Sequence, residues 1–464
     1  MKKAISHTIK KNICLVLFPL LFIGCEDFLE VDEPFGQLSD TEVFEDQTTA
    51  TAAVTTLYAK LRDEVLLTGR LEGMSVLMGI YADEMDFYGF GGDPMSSFYQ
   101  HQIFPDDFVV ESIWNAAYSL IYSSNAALVG IAGSTSLNEE TKEQLRGEVL
   151  FIRSVTYFYL VNLFGDLPYA TSTNYEENRR LSRLPLSAVY ENIINDLKEA
   201  KSLLGADYVQ GERIRANKPV VSAILSQVYL YTEQWDLAES ETMAIINNVS
   251  MYSLELEVTN VFLKESTSAI LQFKPKNEGE NTQEAISYYF ESGPPPLISL
   301  NSRLIENMDP NDLRREHWIG EVTDGNQTWY YPNKYKYRGN TSSSMEYSIV
   351  FRLAEQYLIR AEARARLGNL SGALEDLNSI RNRAGLMDSE ATTQSGILKA
   401  IFTERYHELF SEFGHRWFDM KRLGLANEIL APIKSGWKST DVLLPIPEND
   451  LLMNPNLNPQ NPGY

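Results

Sequence analysis

The sequence predicts a mainly α protein, in which tetratricopeptide-like helix pairs carry long irregular loops and little β structure. Three observations support this fold class. Apolar residues recur at helical spacing over long stretches, two helix pairs resemble each other, and two long segments break the helical pattern. With 464 residues and 44% hydrophobic content, the chain is long enough for one large body or two closely packed parts.

The first twenty-five residues carry the pattern of an export signal. A basic start without acidic residues is followed by an apolar run over residues 13–23. This run has roughly half of the ~20 residues that a membrane-spanning helix needs, so it indicates a secretory signal peptide over residues 1–24. A glycine directly before Cys25 resembles the lipobox of bacterial lipoproteins, which implies lipidation of Cys25. An ordinary signal peptide with an incidental cysteine is the alternative.

The charge balance argues against nucleic acid as a partner. The chain has 63 acidic and 40 basic residues, and its net charge is −23 at pH 7. Nucleic acid binding rests on cationic contacts to phosphates, and solubility is the simpler explanation of the acidity. The two cysteines, Cys14 and Cys25, both lie near the start, so we expect no disulfide and no cysteine metal site in the body of the protein.

Helical periodicity begins at Thr48 and recurs around Trp114. It is strongest over residues 145–164, where apolar side chains follow each other at spacings of three and four until residues 165–168 end the helix. A last helix is predicted over residues 397–413, with a wide apolar stripe.

Two helix pairs are predicted in between, at residues 220–231 with 235–247 and at residues 349–367 with 370–383. Ala238 aligns with Ala373, and a small residue stands twelve positions before each of them, Ser226 and Ala361. Small residues at this spacing let antiparallel helices approach closely, which is a weak tetratricopeptide signature. Two unrelated helical hairpins are the alternative.

Two long segments, residues 79–108 and 250–345, break the helical pattern. Both combine many aromatic residues with glycine, proline and aspartate. Irregular segments of this length in a helical protein are usually functional or disordered, and the aromatic content argues against disorder. The sequence therefore predicts that these segments carry the function.

A cluster of charged residues near the C-terminus is the strongest candidate for catalysis. Glu404 and Glu408 share a helix face and could mimic the paired carboxylates of a glycosidase. We interpret them as part of an ion-pair network with the neighbouring Arg405, Arg416 and Arg422, because arginines keep carboxylates ionised. No HExxH, Gly-x-Ser-x-Gly or EF-hand pattern occurs. The sequence thus predicts no catalytic residue, no metal-binding motif and no cofactor, and it leaves a structural Ca²⁺ ion open.

Ordered motifs over the chain resemble the SusD/RagB family. The C-terminal motifs, which include an Arg-x-Arg-Ala-Gly run, lie at residues 352–363, 378–385, 404–409, 414–422, 444–447 and 461–464. The N-terminal half adds Trp114, Tyr118 and residues 163–168. Together they cover nearly the whole mature chain in the order of the family.

The resemblance implies a SusD-like fold, with an N-terminal helical part over residues 46–250 and a C-terminal SusD/RagB part over residues 251–464, packed as one body. It implies a protein exposed at the cell surface and held in the outer membrane by its N-terminal lipid, followed by a tether over residues 25–45. Such proteins capture an oligosaccharide or polysaccharide and deliver it, without chemistry, to a SusC-like TonB-dependent transporter. Peptide capture as in RagB, a scaffold role in the helix-pair grooves, and a surface glycoside hydrolase are the alternatives.

The resemblance also implies a ligand site in the loops of the two irregular segments. Aromatic rings suit the apolar faces of sugars, and carboxylates and arginines satisfy the hydroxyl groups. The predicted aromatic platforms are Phe87, Tyr88 and Tyr99 in the first segment and Trp318, Trp329 and Tyr330 in the second. The predicted hydroxyl partners are Asp86 and Arg338. Packing of these rings inside the loops is the alternative, and the acidity of the loops disfavours a polyanionic ligand.

Overall fold

The computed structural model describes residues 43–64 and 66–464. The predicted signal peptide, Cys25 and most of the predicted tether lie outside the described residues. Within these residues the protein has about 52% helix and 7% strand in 18 helices and six strands, which confirms the predicted fold class. No helix in this part of the chain is long and apolar enough to cross a membrane.

The first nine described helices are α1 Gln47–Asp63, α2 Met74–Tyr81, α3 Ser96–Gln100, α4 Phe108–Gly133, α5 Glu139–Phe164, α6 Tyr175–Asn178, α7 Leu186–Leu203, α8 Lys218–Tyr231 and α9 Trp235–Ile246. Helix α5 is the centre of this part, because nearly all of its side chains over residues 145–164 are buried. It packs against α1, α4 and α7. Asp46 and Asn138 cap α1 and α5 by accepting hydrogen bonds from backbone N–H groups in the first turn.

The remaining described helices are α10 Glu284–Ser287, α11 Ser302–Asn307, α12 Leu313–His317, α13 Leu353–Arg366, α14 Leu370–Arg383, α15 Gln394–Leu409, α16 His415–Arg422, α17 Ala426–Leu430 and α18 Glu448–Met453. The helix pairs α8–α9 and α13–α14 lie side by side, because α9 packs against α13. Ser226 on α8 donates a hydrogen bond to Gln356 on α13 at 2.8 Å. The two predicted pairs therefore form one helical layer, not unrelated hairpins.

The strands are β1 Met85–Phe87, β2 Ala269–Phe273, β3 Ile298–Leu300, β4 Ile319–Thr323, β5 Thr328–Pro332 and β6 Ser348–Arg352. Four of them form an antiparallel sheet in the order β1-β3-β5-β4, and β2 pairs with β6 in a second sheet. All except β6 lie in the two segments that the sequence predicts to be irregular. Those segments are therefore more ordered than predicted.

Two predicted helix boundaries are wrong. Residues 349–352, predicted as the start of a helix, belong to β6, because this short apolar run is buried throughout as a strand beside β2. Helix α15 ends at Leu409 and does not reach Phe413. The N–H of Ser411 donates to Glu84 Oε1 at 2.7 Å, and both Ser411 and Phe413 have positive φ, so tertiary contacts replace the last helical turn.

A buried ion-pair network surrounds Glu408 on α15. Its carboxylate contacts Arg314, Arg352 and Arg383, with 2.8 Å between Arg314 Nη1 and Glu408 Oε2, and none of these side chains is more than 2% exposed. Burial alone would raise the pKa of Glu408, but the three guanidinium groups hold it well below its usual range. Glu404 joins the network through Arg314 at 2.7 Å, which confirms the predicted structural role of both glutamates.

The predicted partners within this network are wrong, because the arginines next to Glu408 in the sequence pair elsewhere. The pairs are Arg405 with Asp419 at 2.6 Å, Arg416 with Asp83 at 2.7 Å, and Arg422 with Glu362 at 2.7 Å. The arginines that neutralise Glu408 come instead from α12, β6 and α14. The network therefore fastens α15 to elements that are distant in the sequence.

Candidate functional site

The two aromatic-rich segments meet in the four-stranded sheet. Strand β1 of the first segment pairs with β3 of the second, so that Phe87 lies opposite Ile298 and Asp86 lies opposite Ser299. The N–H of Tyr88 continues this pairing beyond β1 by donating to the carbonyl of Leu297 at 2.6 Å. Predicted site residues of the first segment therefore share one sheet with the second segment.

A polar cavity of about 230 Å³ lies at this junction, and we call it the Asp86 pocket. Its polar lining includes Asp83, Asp86, Tyr99, Asn301, Arg303 and Lys434. Asp86 Oδ1 accepts hydrogen bonds from Asn301 Nδ2 at 2.8 Å, across 215 positions of sequence, and from the Tyr99 hydroxyl at 3.5 Å. Asp86 Oδ2 has no hydrogen bond within the described residues, so this oxygen can accept one from a ligand.

Lys434 forms a cationic wall of the Asp86 pocket. Its Nζ lies 3.7 Å from the centroid of the Tyr99 ring and donates to the carbonyl of Ile80 at 2.7 Å. Burial lowers the pKa of Lys434 to about 8, while Asp86 and Asp83 act in the opposite direction. The ammonium group is therefore mostly protonated at neutral pH.

Aromatic rings adjoin the pocket through Tyr99. The Phe87 and Tyr99 rings lie with their centroids 6.0 Å apart and their planes at 41°, and both side chains are partly buried. Tyr88, the next residue along the chain, is 36% exposed. The structure thus brings together four of the predicted site residues, the three aromatic ones of the first segment and Asp86.

A second aromatic group, the Tyr331 cluster, comprises Tyr289, Phe290, Tyr331 and Arg338. The Arg338 guanidinium carbon lies 3.5 Å from the Tyr289 ring centroid and 5.8 Å from that of Tyr331. The Tyr331 ring meets Tyr289 and Phe290 edge-on, with centroids 5.4 Å apart in each pair. Arg338 is exposed, so it stays a candidate hydroxyl partner, but it stacks on Tyr289 and Tyr331, which are not among the predicted site residues.

The prediction for Trp318 is wrong. This side chain is only 1% exposed, and its indole Nε1 donates to the carbonyl of Val258 at 2.8 Å. Lys334, Arg352 and Arg383 lie 5.0, 5.9 and 5.4 Å from its ring centroid. The ring therefore belongs to the core beside the buried ion-pair network, and neither of its faces is accessible to a sugar.

The prediction for Trp329 is also wrong, whereas Tyr330 is partly accessible. Trp329 is 5% exposed, and Gly293 covers its ring so closely that an added Cβ would lie 1.9 Å from Cζ3. Side chains alternate along a strand, so Trp329 and Tyr331 share one face of β5 while Tyr330 points to the other. Tyr330 is partly buried on that face.

Sequence reasoning missed several lining residues. Asn301 could have been noticed in the sequence, because asparagine is a preferred residue at a helix N-terminus. In the structure it caps α11 by accepting a hydrogen bond from the N–H of Arg303 at 3.0 Å. Lys434 lies in no motif and far from both aromatic segments, and only the tertiary fold places it beside Tyr99.

The chemistry of the Asp86 pocket suits binding. Arg416 holds both oxygens of Asp83, at 2.8 and 2.7 Å, so that Asp86 is the one lining carboxylate with a free oxygen among the described residues. Hydrolysis of a glycosidic bond usually needs two carboxylates acting together. Over residues 43–64 and 66–464 no group of three or more His, Cys, Asp or Glu side chains could hold a metal ion.

Two family models match this chain in separate regions. Residues 27–230 match a model described as starch-binding associating with outer membrane, and residues 315–464 match the model of the SusD family. SusD-like protein P2 of Formosa agariphila is 29% identical, covering 98% of this chain and 100% of that protein. A SusD-like protein of Bacteroides ovatus is 21% identical, covering 88% of this chain and 82% of that protein. The chain belongs to the SusD/RagB family.

Solved structures share the fold. A SusD superfamily protein from Bacteroides vulgatus superposes with a TM-score of 0.79 at 21% identity, covering 90% of this chain and 99% of that chain. A laminarin-binding SusD-like protein has a TM-score of 0.75 at 24% identity and the same coverage. Surface glycan-binding protein A from Bacteroides thetaiotaomicron, in complex with laminarihexaose, has a TM-score of 0.75 at 20% identity, covering 89% of this chain and 99% of that chain.

Proposed function

We propose that this protein captures an oligosaccharide or polysaccharide at the cell surface and does not cleave it. The observation that carries this proposal is the Asp86 pocket, where a free carboxylate oxygen, two cations and the Tyr99 hydroxyl converge beside the rings of Phe87 and Tyr99. Sugar recognition needs such a combination, because hydroxyl groups require donors and acceptors while the apolar faces of the ring pack on aromatic side chains.

The relatives support a sugar as the ligand. The family model that matches residues 27–230 is described as starch-binding, and two of the solved relatives are described with laminarin or laminarihexaose. These two structures are at most 24% identical to this chain. They therefore support a glycan as the class of ligand but do not identify the particular glycan, which depends on the residues of the pocket.

The proposal includes the cellular setting. We infer that lipidation of Cys25 anchors the protein in the outer membrane and that the captured glycan passes to a SusC-like TonB-dependent transporter. The description of the family model names association with the outer membrane, and the short apolar run that ends before Cys25 supports lipidation.

Affinity electrophoresis of the mature protein tests the proposal. We expect at least one polysaccharide in the gel to retard the wild-type protein, without release of reducing ends. The Asp86→Ala variant should bind about tenfold more weakly, since it loses a charged hydrogen-bond acceptor. Asp236→Ala, which removes an exposed aspartate of α9, is the matched control and should behave like the wild type.

Two results would contradict capture at this site. Release of reducing ends by the purified protein would show an enzyme. Equal retardation of Asp86→Ala and Asp236→Ala would place the binding surface elsewhere. If no polysaccharide retards the folded protein but peptides bind to it, the RagB-like alternative is favoured.

A further inference from the structure

The charge of the Asp86 pocket differs in sign from that of the whole protein. The chain carries 63 acidic and 40 basic residues. Among the charged side chains that line the pocket, Asp83 is neutralised by its two bonds to Arg416. The remaining charges are those of Asp86, Arg303 and Lys434, so cations outnumber carboxylates in this cavity.

Arg303 is available to a ligand. Its side chain is exposed, and it has neither an ion pair nor a side-chain hydrogen bond within residues 43–64 and 66–464. A guanidinium group presents five N–H donors in a planar fork that matches the oxygens of a carboxylate or sulfate. The exposed guanidinium group of Arg303, whose N–H donors have no partner among the described residues, is therefore a suitable contact for an anionic group.

Lys434 adds a second cation that no carboxylate neutralises by direct contact. Its Nζ donates to the carbonyl of Ile80 and faces the Tyr99 ring, and no carboxylate of the described chain lies within 4.0 Å of it. A lysine ammonium group has three donors, so it can bind an anion while keeping its bond to Ile80.

We propose that the Asp86 pocket binds the anionic group of an acidic sugar, a carboxylate or a sulfate, through Arg303 and Lys434. Asp86 then accepts a hydrogen bond from a hydroxyl group of the same or the adjoining sugar. This inference rests on the proposed function and names its substrate class. The net negative charge of the chain disfavours ligands with many negative charges. The Asp86 pocket itself, however, does not have an excess of negative charge.

A neutral sugar fits this pocket less well. Arg303 and Lys434 are pure donors, and Asp86 Oδ2 is the free carboxylate acceptor, so a ligand with strong acceptor oxygens completes the pocket best. Charge-assisted bonds to an anion are also shorter and stronger than bonds from the same donors to neutral hydroxyl groups.

Calorimetric titration of the mature protein with three oligosaccharides of equal length, one neutral, one built of uronates and one sulfated, tests the inference. We expect an acidic oligosaccharide to bind at least about tenfold more tightly than the neutral one. Arg303→Gln should remove most of that advantage, because the acidic oligosaccharides lose a charge-assisted contact and therefore lose more affinity than the neutral one. Arg70→Gln, which removes an exposed arginine outside the pocket, is the control and should change neither affinity.

The outcomes separate this inference from the function on which it rests. Preference for the uronate or for the sulfated oligosaccharide supports the inference and identifies the group. If the neutral oligosaccharide binds as tightly as the acidic ones, or if Arg303→Gln weakens all three equally, the inference is overturned while glycan capture stands. Binding of none of the three by the folded protein contradicts both.

Discussion

Glu408→Gln is expected to lower the free energy of unfolding by about 3–5 kcal/mol. The wild-type carboxylate faces three arginines in the protein core, and none of the four side chains is more than 2% exposed. A neutral amide keeps the shape of the side chain, but among the described residues it removes the only carboxylate that Arg383 contacts. Arg314 and Arg352 each lose one of their carboxylate partners. Urea unfolding followed by circular dichroism measures the loss.

Glu176→Gln is the matched control, because it also removes a carboxylate that contacts arginines. Glu176 pairs with Arg179 and Arg180 on the surface, where all three side chains are largely exposed. Exposed pairs of this kind contribute about 0–1 kcal/mol, so the control should unfold nearly as the wild type does. Similar stabilities for the two variants would show that the network around Glu408 does not hold α15 in place.

Trp318→Ala is expected to lower the free energy of unfolding by about 3–5 kcal/mol. The substitution leaves a large cavity, removes the hydrogen bond to the carbonyl of Val258, and takes away the ring that contacts Lys334, Arg352 and Arg383. Thermal or urea unfolding measures this loss.

Trp318→Phe is the milder variant that separates packing from ligand binding. It keeps an aromatic ring in the core, so we expect a larger folded fraction than for Trp318→Ala. Its affinity for the captured oligosaccharide, measured by calorimetry on the folded protein, should equal that of the wild type. If the folded Trp318→Phe protein binds the oligosaccharide clearly more weakly than the wild type, Trp318 contributes to ligand binding and our interpretation is wrong.

The helical part of the fold follows from local sequence. Apolar residues three or four positions apart predict the helix over residues 145–164 and both helix pairs. The structure buries these apolar faces, in the core around α5 and in the layer that the two pairs form. Residues 349–352 show where this reasoning ends. A short apolar run has no distinctive period, and its pairing partner, β2, lies far away in the sequence.

The site was predictable by region but only partly by residue. Asp86 and Tyr99, two of the predicted site residues, line the Asp86 pocket, and polar and aromatic residues in a long irregular segment often belong to a functional region. Trp318 looked equivalent in the sequence. In the fold its ring packs against Phe262 and lies near cations from β6 and α14, and no local pattern reports such contacts. Asn301 and Lys434 reach the pocket through tertiary packing for the same reason.

Hydrogen–deuterium exchange of the mature protein, with and without the oligosaccharide that it retains, tests the central claim most directly. If the ligand binds at the Asp86 pocket, exchange slows in β1, in α3 and over residues 298–303, while the helix pairs α8–α9 and α13–α14 exchange as before. Slower exchange in those helix pairs, with no change in β1 or α3, would contradict the account and favour a ligand groove between the helices.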